Sequence, residues 1–361
     1  MFKFTRRERP LRGGALVTFP GALAVSLAVC AALLAWQDKS VVEGARVLWL
    51  GSFGEAWALE EALLKAVPIF LCSLGVAVTF RMQVWNIGAE GQFALGAVGA
   101  TAVALGLPGL PAWAMLPLMA LAAMLAGCLW GLIPAVLRVR LKVNEIITTL
   151  MLNYIGILLL DMAVMNVWKD PSGFPMTPEF PAAAKVGVIF GRVHWGLALC
   201  IVVGGALWAL MRYTRLGYEL RASSEGARVA RYARLPYGFL VLFVMGLSGA
   251  LAGAAGWLEA SAVLGRLQPS IIAGYGYTAI VVAWLARLKP QNIAVVSFLL
   301  AALRVGAENL QLELQVPASF GVIMEGLILL CVLAGQFFQT WRIERRATAA
   351  DQAGRGGEGA A

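Results

Sequence analysis

The heptapeptide Asn86-Ile87-Gly88-Ala89-Glu90-Gly91-Gln92 falls where one long apolar run, 61–80, gives way to the next, 88–107. A bilayer is crossed by about 20 apolar residues, so a carboxylate and two amides between these runs stand at or near membrane depth. Polar and ionisable groups there are expensive, and each needs a reason. Two glycines flank Glu90, and glycine tolerates unusual backbone angles. We therefore read 86–92 as a broken or re-entrant segment whose freed backbone groups line a cavity.

Outward from this segment, apolar stretches of spanning length recur along the 361 residues. They run approximately 15–36, 61–80, 88–107, 112–138, 145–167, 195–212, 237–257, 271–286, 291–306 and 318–339, which predicts an all-α polytopic membrane protein of about ten transmembrane helices. Charged residues make up only 14% of the chain, against about 25% in soluble domains. No room remains for a self-contained ATPase, a soluble enzyme or a nucleic-acid-binding module. With 40 glycines, small residues such as Gly96-Ala97-Val98-Gly99 and Gly249-Ala250-Leu251-Ala252-Gly253 are expected to let helices approach closely.

The net charge of +9 reads as topology, because basic residues concentrate in cytoplasmic loops. If both termini are cytoplasmic, the basic start 1–14, Arg81, the Arg138/Arg140/Lys142 cluster, the segment 212–234, Arg287/Lys289 and Arg342/Arg345/Arg346 all fall inside. Arg266 and Arg304 are exceptions, each near an outer end. The outer loops are then 37–60 and 168–194, residues 15–339 form the membrane domain, and 340–361 form a cytoplasmic tail read as disordered from its Ala, Gly and charge. The first apolar run exceeds the roughly 7–15 residues of a signal h-region, so it reads as an uncleaved helix. This parity gives units 61–167 and 237–339 opposite topology, two inverted four-helix units with a pathway between them.

Cys30, Cys72, Cys128, Cys200 and Cys331 all sit in apolar segments without CxxC spacing. They read as small core hydrophobes. Trp36, Trp113, Trp168, Trp195, Trp257 and Trp341 fall near span ends and read as interface anchors. A single histidine, His194, and the absence of any Gly-Lys dipeptide leave no metal site, His-based triad or P-loop. No catalytic residue is expected.

Two further polar clusters lie in apolar surroundings. In Lys142–Ile155, Glu145, Thr149 and Asn153 stand at i, i+4, i+8 and make one polar stripe on a helix, which must face protein or water. In Ile271–Trp284, Gly274-Tyr275-Gly276-Tyr277-Thr278 combines glycines, aromatics and a hydroxyl. Each cluster is open to two readings, helix-helix hydrogen bonding or the lining of a solute path; the recurrence of glycine breaks in both units favours the second. Glu259, Glu308 and Glu313 are assigned to the outer surface, and Glu325 to a buried partnership. Between spans six and seven, 213–236 carries arginines at 215, 221, 228, 231 and 234. Ser223 and Ser224 stand ahead of Glu225-Gly226-Ala227-Arg228-Val229-Ala230-Arg231, which suits a capped short helix ended by Leu235-Pro236. Its positive, small-residue face suits a cytoplasmic partner, or simply a solvated basic loop.

In this order, NIGAEGQ at 86–92, LKVNEIITTLMLNYI at 141–155, RASSEGARVARYARLP at 221–236 and GYGYTAIVVAWLARLKP at 274–290 resemble the permease subunit of ABC importers of the branched-chain amino acid, simple-sugar and nucleoside group, nearest to its nucleoside-type members. The resemblance covers about 60–340 and implies a type II importer-like fold in the bacterial inner membrane. It implies ABC ATPase subunits carrying ATP-Mg, an extracytoplasmic solute-binding protein, a second permease in a homo- or heterodimer, and no cofactor on this chain. Loop 213–236 would be the coupling loop, with Arg221, Ser223, Ser224, Glu225, Gly226, Ala227, Arg228 and Arg231 facing the ATPase. Asn86, Glu90, Gln92, Glu145, Thr149, Asn153, Tyr275, Tyr277 and Thr278 would line the substrate pathway. The chain departs from the wider group at Thr278, where an acidic residue is frequent, and at Ser223-Ser224-Glu225-Gly226, where Gly-x-Asn-Pro is common. The competing reading is an ion-coupled carrier of a small polar solute, suggested by Glu90, Glu145 and Asp161; within the ABC reading, simple sugars or purine bases are the alternative substrates.

Overall fold

The structure is a computed structural model and describes residues 2–6, 14–317 and 319–345. Strand β1 (Phe2–Arg6) precedes α1 (Gly14–Trp36) and α2 (Val41–Trp49), and a π-helical turn over Leu50–Gly54 leads into α3 (Ala56–Arg81). Helices α4 (Ala89–Gly106), α5 (Ala112–Leu141) and α6 (Glu145–Met162) follow. A short hairpin, β2 (Val188–Phe190) and β3 (Val193–His194), comes before α7 (Gly196–Tyr213), α8 (Arg215–Ala222) and α9 (Ala227–Tyr232). The chain continues through α10 (Tyr237–Leu258), α11 (Tyr275–Leu285), α12 (Pro290–Leu314) and α13 (Ser319–Thr340) to β4 (Trp341–Arg345).

Among the described residues, six segments are long and apolar enough to cross a membrane: Ala56–Arg81, Ala112–Leu141, Glu145–Val167, Gly196–Tyr213, Tyr237–Leu264 and Pro290–Leu314. Of the four expected spans outside these six, 15–36 and 318–339 correspond to the helices α1 and α13, and the other two differ for a physical reason. The run 271–286 yields only the 11 helical residues of α11, about 16 Å of helix and half a bilayer. In α4 the first turn carries Glu90 and Gln92, which interrupts the apolar length. Within the loop 37–60, α2 and the π-helical turn are helical as well.

The chain divides into two compact bodies, Met1–Val47 with Ala307–Ala361, and Leu48–Gly306. The first packs α1 against α13, and its strands β1 and β4 pair antiparallel with Phe2 opposite Arg345. Residues 341–345 of the tail expected to be disordered are thus a strand, because the other chain end supplies a pairing edge; 346–361 lie outside the described residues.

In the second body α10 is central, packed on α3, α4 and α5, while α11 lies on α3 and α6 on α4. The stretch 237–339 is therefore not one body: α10 and α11 lie here and α13 in the other. Small residues permit the central contacts. A Cβ on Gly96 would come within 2.2 Å of the Gly253 Cα, so α4 and α10 touch backbone to backbone. The five cysteines are unpaired; Cys30, Cys72 and Cys200 are buried, Cys128 and Cys331 half-buried. Trp36, Trp113 and Trp195 are exposed at helix ends, as expected of anchors, whereas Trp257 is buried inside the protein, drawn in by the close packing around α10.

Candidate functional site

Helix α3 ends at Arg81, and 82–88 run without regular structure before α4 begins. The same happens after α10: a π-helical turn over Glu259–Leu264 and a non-α-helical stretch precede α11. The N-termini of the two interrupted helices, α4 and α11, meet. Helix N-termini leave backbone N–H groups unsatisfied and carry partial positive charge. The wholly buried Glu90, in the first turn of α4, answers that need for α11: Gly274 N–H donates to Glu90 Oε1 at 2.9 Å and Gly276 N–H to Oε2 at 2.6 Å. The approach is possible because residue 276 has no side chain; a Cβ there would lie 2.3 Å from the Glu90 amide nitrogen.

Around this contact the polar residues satisfy one another. Asn86 and Gln92 exchange reciprocal amide hydrogen bonds at 3.1 and 3.2 Å, and Asn86 Nδ2 also donates to Ser248 Oγ on α10 at 2.9 Å. Asn153 clasps the broken segment from α6, accepting from Gly91 N–H at 2.8 Å and donating to the Ile87 carbonyl at 2.7 Å. Its Nδ2 also reaches the Tyr277 hydroxyl at 3.3 Å, and Thr149 Oγ1 accepts from Ile87 N–H at 3.3 Å. The glycines of 86–92 serve this fit rather than unusual angles. Gly88 has φ −82° and Gly91 is helical, but a Cβ on Gly91 would sit 2.9 Å from the Asn153 Cα.

Tyr275 is buried, donates to Glu259 at 3.3 Å and stands edge-on to Phe93. Arg304 lies over its ring at 5.2 Å and donates to the Ala273 carbonyl at 2.6 Å. Glu259 is thus not at the outer surface but buried, since the π-helical turn after α10 carries it inward. Glu308 and Glu313 are exposed as expected, and the side chain of Glu325 lies outside the described residues. Arg304, a charge on the wrong side of the basic pattern, proves to serve this site; Arg266, the other exception, approaches Glu179 at 4.0 Å. Nothing in the sequence distinguished Ser248, one small hydroxyl in an apolar helix.

The structure therefore gathers Asn86, Glu90, Gln92, Thr149, Asn153, Tyr275 and Tyr277, with Thr278 buried one position further on. Glu145 stands apart: it pairs with Arg138 across the α5–α6 turn. Asp161 is half-buried at the far end of α6. Most of the gathered groups are buried, but Tyr277 is 37% exposed, and Tyr154 beside it on α6 is exposed too, so two aromatics mark the accessible edge. Among the described residues no cluster of His, Cys, Asp and Glu could hold a metal ion.

The family model for branched-chain amino acid transport system / permease component matches residues 58–333. The chain belongs to this permease family. Similar proteins include a glucose ABC transporter permease protein of Haloferax volcanii, 33% identical over 92% of this chain and 89% of its own length. A guanosine ABC transporter permease protein of Bacillus subtilis is 31% identical over 86% and 91%, and a nucleoside ABC transporter permease protein of Lactococcus lactis is 26% identical over 73% and 76%. It is an ABC permease subunit of the nucleoside and sugar importer family and a multi-pass membrane protein.

The permease's 213–236 segment is helical but breaks differently from expectation. Thr214 caps α8, accepting from Gly217 N–H at 3.2 Å. Ser223–Glu225 form a 3-10 turn, Gly226 has φ +104°, and α9 follows without a side-chain cap. The serines do not cap α9 because Gly226 reverses the chain; Ser224 Oγ instead donates to the Arg221 carbonyl at 2.7 Å. Arg221 is tied to the Met211 carbonyl at 2.7 Å. Ala230 anchors α9, leaving Arg228, Val229, Arg231 and Tyr232 exposed. Ala227 is half-buried, and the Glu225 side chain lies outside the described residues.

Proposed function

We propose that this permease forms the translocation pathway of an ATP-driven importer for nucleosides, with the solute passing beside the α4–α11 contact. The observation that carries the reading is that contact. Each proposed inverted unit, 61–167 and 237–339 within a ten-span membrane domain of 15–339, begins with a long helix that breaks and restarts, and the two restarted helices meet at Glu90, which lies in the first turn of α4 and accepts from the start of α11. Amides and hydroxyls at Asn86, Gln92, Thr149, Asn153 and Thr278 are suited to sugar hydroxyls and ring nitrogens, and Tyr277 with Tyr275 to the face of a base. Glu145 then bounds the inner mouth through Arg138.

Segment 213–236 is the coupling loop in this reading. Its exposed arginines and Tyr232 suit a groove on an ABC ATPase subunit, where ATP-Mg is bound and hydrolysed; this chain carries no cofactor. A solute-binding protein on the outer side and a second permease, identical or related, complete the assembly in the bacterial inner membrane, with both termini cytoplasmic. Guanosine and nucleoside permeases among the relatives support the nucleoside assignment, while the sugar permease makes ribose and glucose the comparison substrates. Against the ion-coupled alternative, both Glu90 oxygens and Glu145 are held by structural partners, which leaves Asp161 as the one carboxylate of its three without such a partner among the described residues.

Uptake of radiolabelled guanosine, adenosine, uridine, ribose and glucose in cells with and without this gene tests the proposal, alongside an ATPase-inactive partner. Nucleoside uptake requiring both proteins is expected. Uptake that needs this chain and survives loss of the ATPase would overturn it.

A further inference from the structure

A cleft of about 510 Å³ opens between α3, α7 and α12, with Val67, Phe70, Gly205, Trp208 and Ser297 on its walls. It is separate from the Glu90 site. The surface flanking it is apolar and exposed, at Ile201 and Val202 on α7 and Val295 and Leu299 on α12, as suits a face turned to acyl chains. One polar group breaks the lining: the Ser297 hydroxyl is buried and has no hydrogen-bond partner among the described residues. A separate small recess bounded by Arg81, Met211 and Leu288 adjoins the cleft, the two sharing Pro290 as a wall.

That end of the cleft is positive. Arg81 Nη2 donates to the Leu288 carbonyl at 2.7 Å and Arg221 Nη1 to the Met211 carbonyl at 2.7 Å. Both acceptor carbonyls belong to residues that bound the recess, as Arg81 itself does, and among the described residues neither guanidinium has an ion-pair partner closer than 4.0 Å. Two guanidiniums tied by backbone carbonyls to the walls of one recess call for an anion, and a basic pocket between helices at the positive end of a membrane protein suits a phospholipid headgroup.

We infer that the cleft is a binding site for an anionic phospholipid, its phosphate between Arg81 and Arg221 and an acyl chain along α3, α7 and α12. Apolar wall and cationic mouth are the two halves of one amphiphile, so a lipid satisfies both where a free anion satisfies only one. Because Arg221 lies in the segment 213–236 proposed to meet the ATPase, a lipid here would touch the coupling machinery; that consequence rests on the proposed function, whereas the binding site does not.

Native mass spectrometry of the full chain, extracted in mild detergent and titrated with phosphatidylglycerol or phosphatidylcholine, tests the site. Phosphatidylglycerol should be retained in preference, and Arg81→Gln and Arg221→Gln should each weaken it about five-fold, while Arg81→Lys retains it. A Cβ on Gly205 meets nothing within 4 Å, so Gly205→Leu should fill the cleft without a clash and lower retention of both lipids. Equal retention of the two lipids, or retention unchanged in Arg221→Gln and Gly205→Leu, would overturn the inference. So would cysteine cross-linking from position 205 to a second copy of the chain, which would make the cleft a helix-packing surface.

Discussion

Glu90 accepts from the Gly276 amide at 2.6 Å, and Gly276 in turn cannot carry a side chain because a Cβ would sit 2.3 Å from the Glu90 nitrogen. Each residue explains the other. The carboxylate stabilises the start of α11, and the missing side chain brings α11 close enough to be stabilised. Replacing Gly276 with alanine should therefore separate the two helix ends at an overpacking cost of about 1–3 kcal/mol. Gly274 has φ +83° with open space around it, so Gly274→Ala should cost about 1–2 kcal/mol of backbone strain alone. Thermal unfolding of the detergent-solubilised variants should rank Gly276→Ala below Gly274→Ala; the reverse order would show that the contact is looser than described.

Glu90 itself separates charge from hydrogen bonding. Glutamine can still accept from one of the two amides, whereas alanine leaves both Gly274 and Gly276 N–H groups buried without this acceptor, at about 1–3 kcal/mol each. Uptake and stability should fall in the order wild type, Glu90→Gln, Glu90→Ala. An ion-coupled carrier would behave differently, because Glu90→Gln would abolish its transport with little loss of stability. Measuring both quantities on the same variants distinguishes the two.

Asn86 and Ser248 bring α4's lead-in and α10 together. Because they share one network, a double-mutant cycle of Asn86→Ala and Ser248→Ala should be non-additive by about 0.5–1.5 kcal/mol. Additivity within error would mean that Asn86 acts mainly through Gln92.

Much of this was legible beforehand. Asn86–Gln92 announced a break because a charged residue between glycines has no place in an ordinary spanning helix, and Glu145, Thr149 and Asn153 announced a protein-facing stripe by their spacing. What the stripe touched was not legible, since pairing Asn153 with Gly91, or Glu90 with Gly276, depends on contacts across 62 and 186 residues that no local period encodes. Glu259 is misplaced for a related reason: apolar length marks where α10 should end but not that a π-helical turn continues it and sets Glu259 against Tyr275. Arg304 carried the most unused signal, a cation against the charge pattern with no explanation until Tyr275 and Ala273 came beside it.

His194 lies at the 168–194 loop's end, outside the spanning helices, and is buried, with Nδ1 accepting from Gly196 N–H at 3.0 Å. Burial pushes its pKa down from 6.5 to about 4. The unfolded chain therefore binds this proton at a higher pH than the folded one, and stability is lost as pH falls from about 6.5 toward 4. Integrated over that window the effect is about 3 kcal/mol at most. Unfolding of the wild type should shift to lower temperature across it, and His194→Gln, which cannot titrate, should show a flatter pH dependence. Parallel curves for the two proteins would assign the acid sensitivity to other groups.

Gly226 tests the coupling assignment most directly. Its φ of +104° is in a region that side chains with a Cβ rarely adopt, and it sets the angle between α8 and α9, hence how Arg228, Arg231 and Tyr232 are presented. Nothing lies within 4 Å of a Cβ at this position, so Gly226→Val strains the turn without disturbing the membrane core. Membrane insertion and thermal stability of the body from Leu48 to Gly306 should stay near wild type, while uptake falls and the partner ATPase turns over without transport. Normal uptake in Gly226→Val would remove the loop from the coupling role. Loss of insertion would instead make its turn a folding requirement, and Tyr232→Ala, exposed at 95% and free of any packing duty, then decides between the two: reduced uptake with intact folding keeps α9 as the docking helix, and wild-type uptake excludes it.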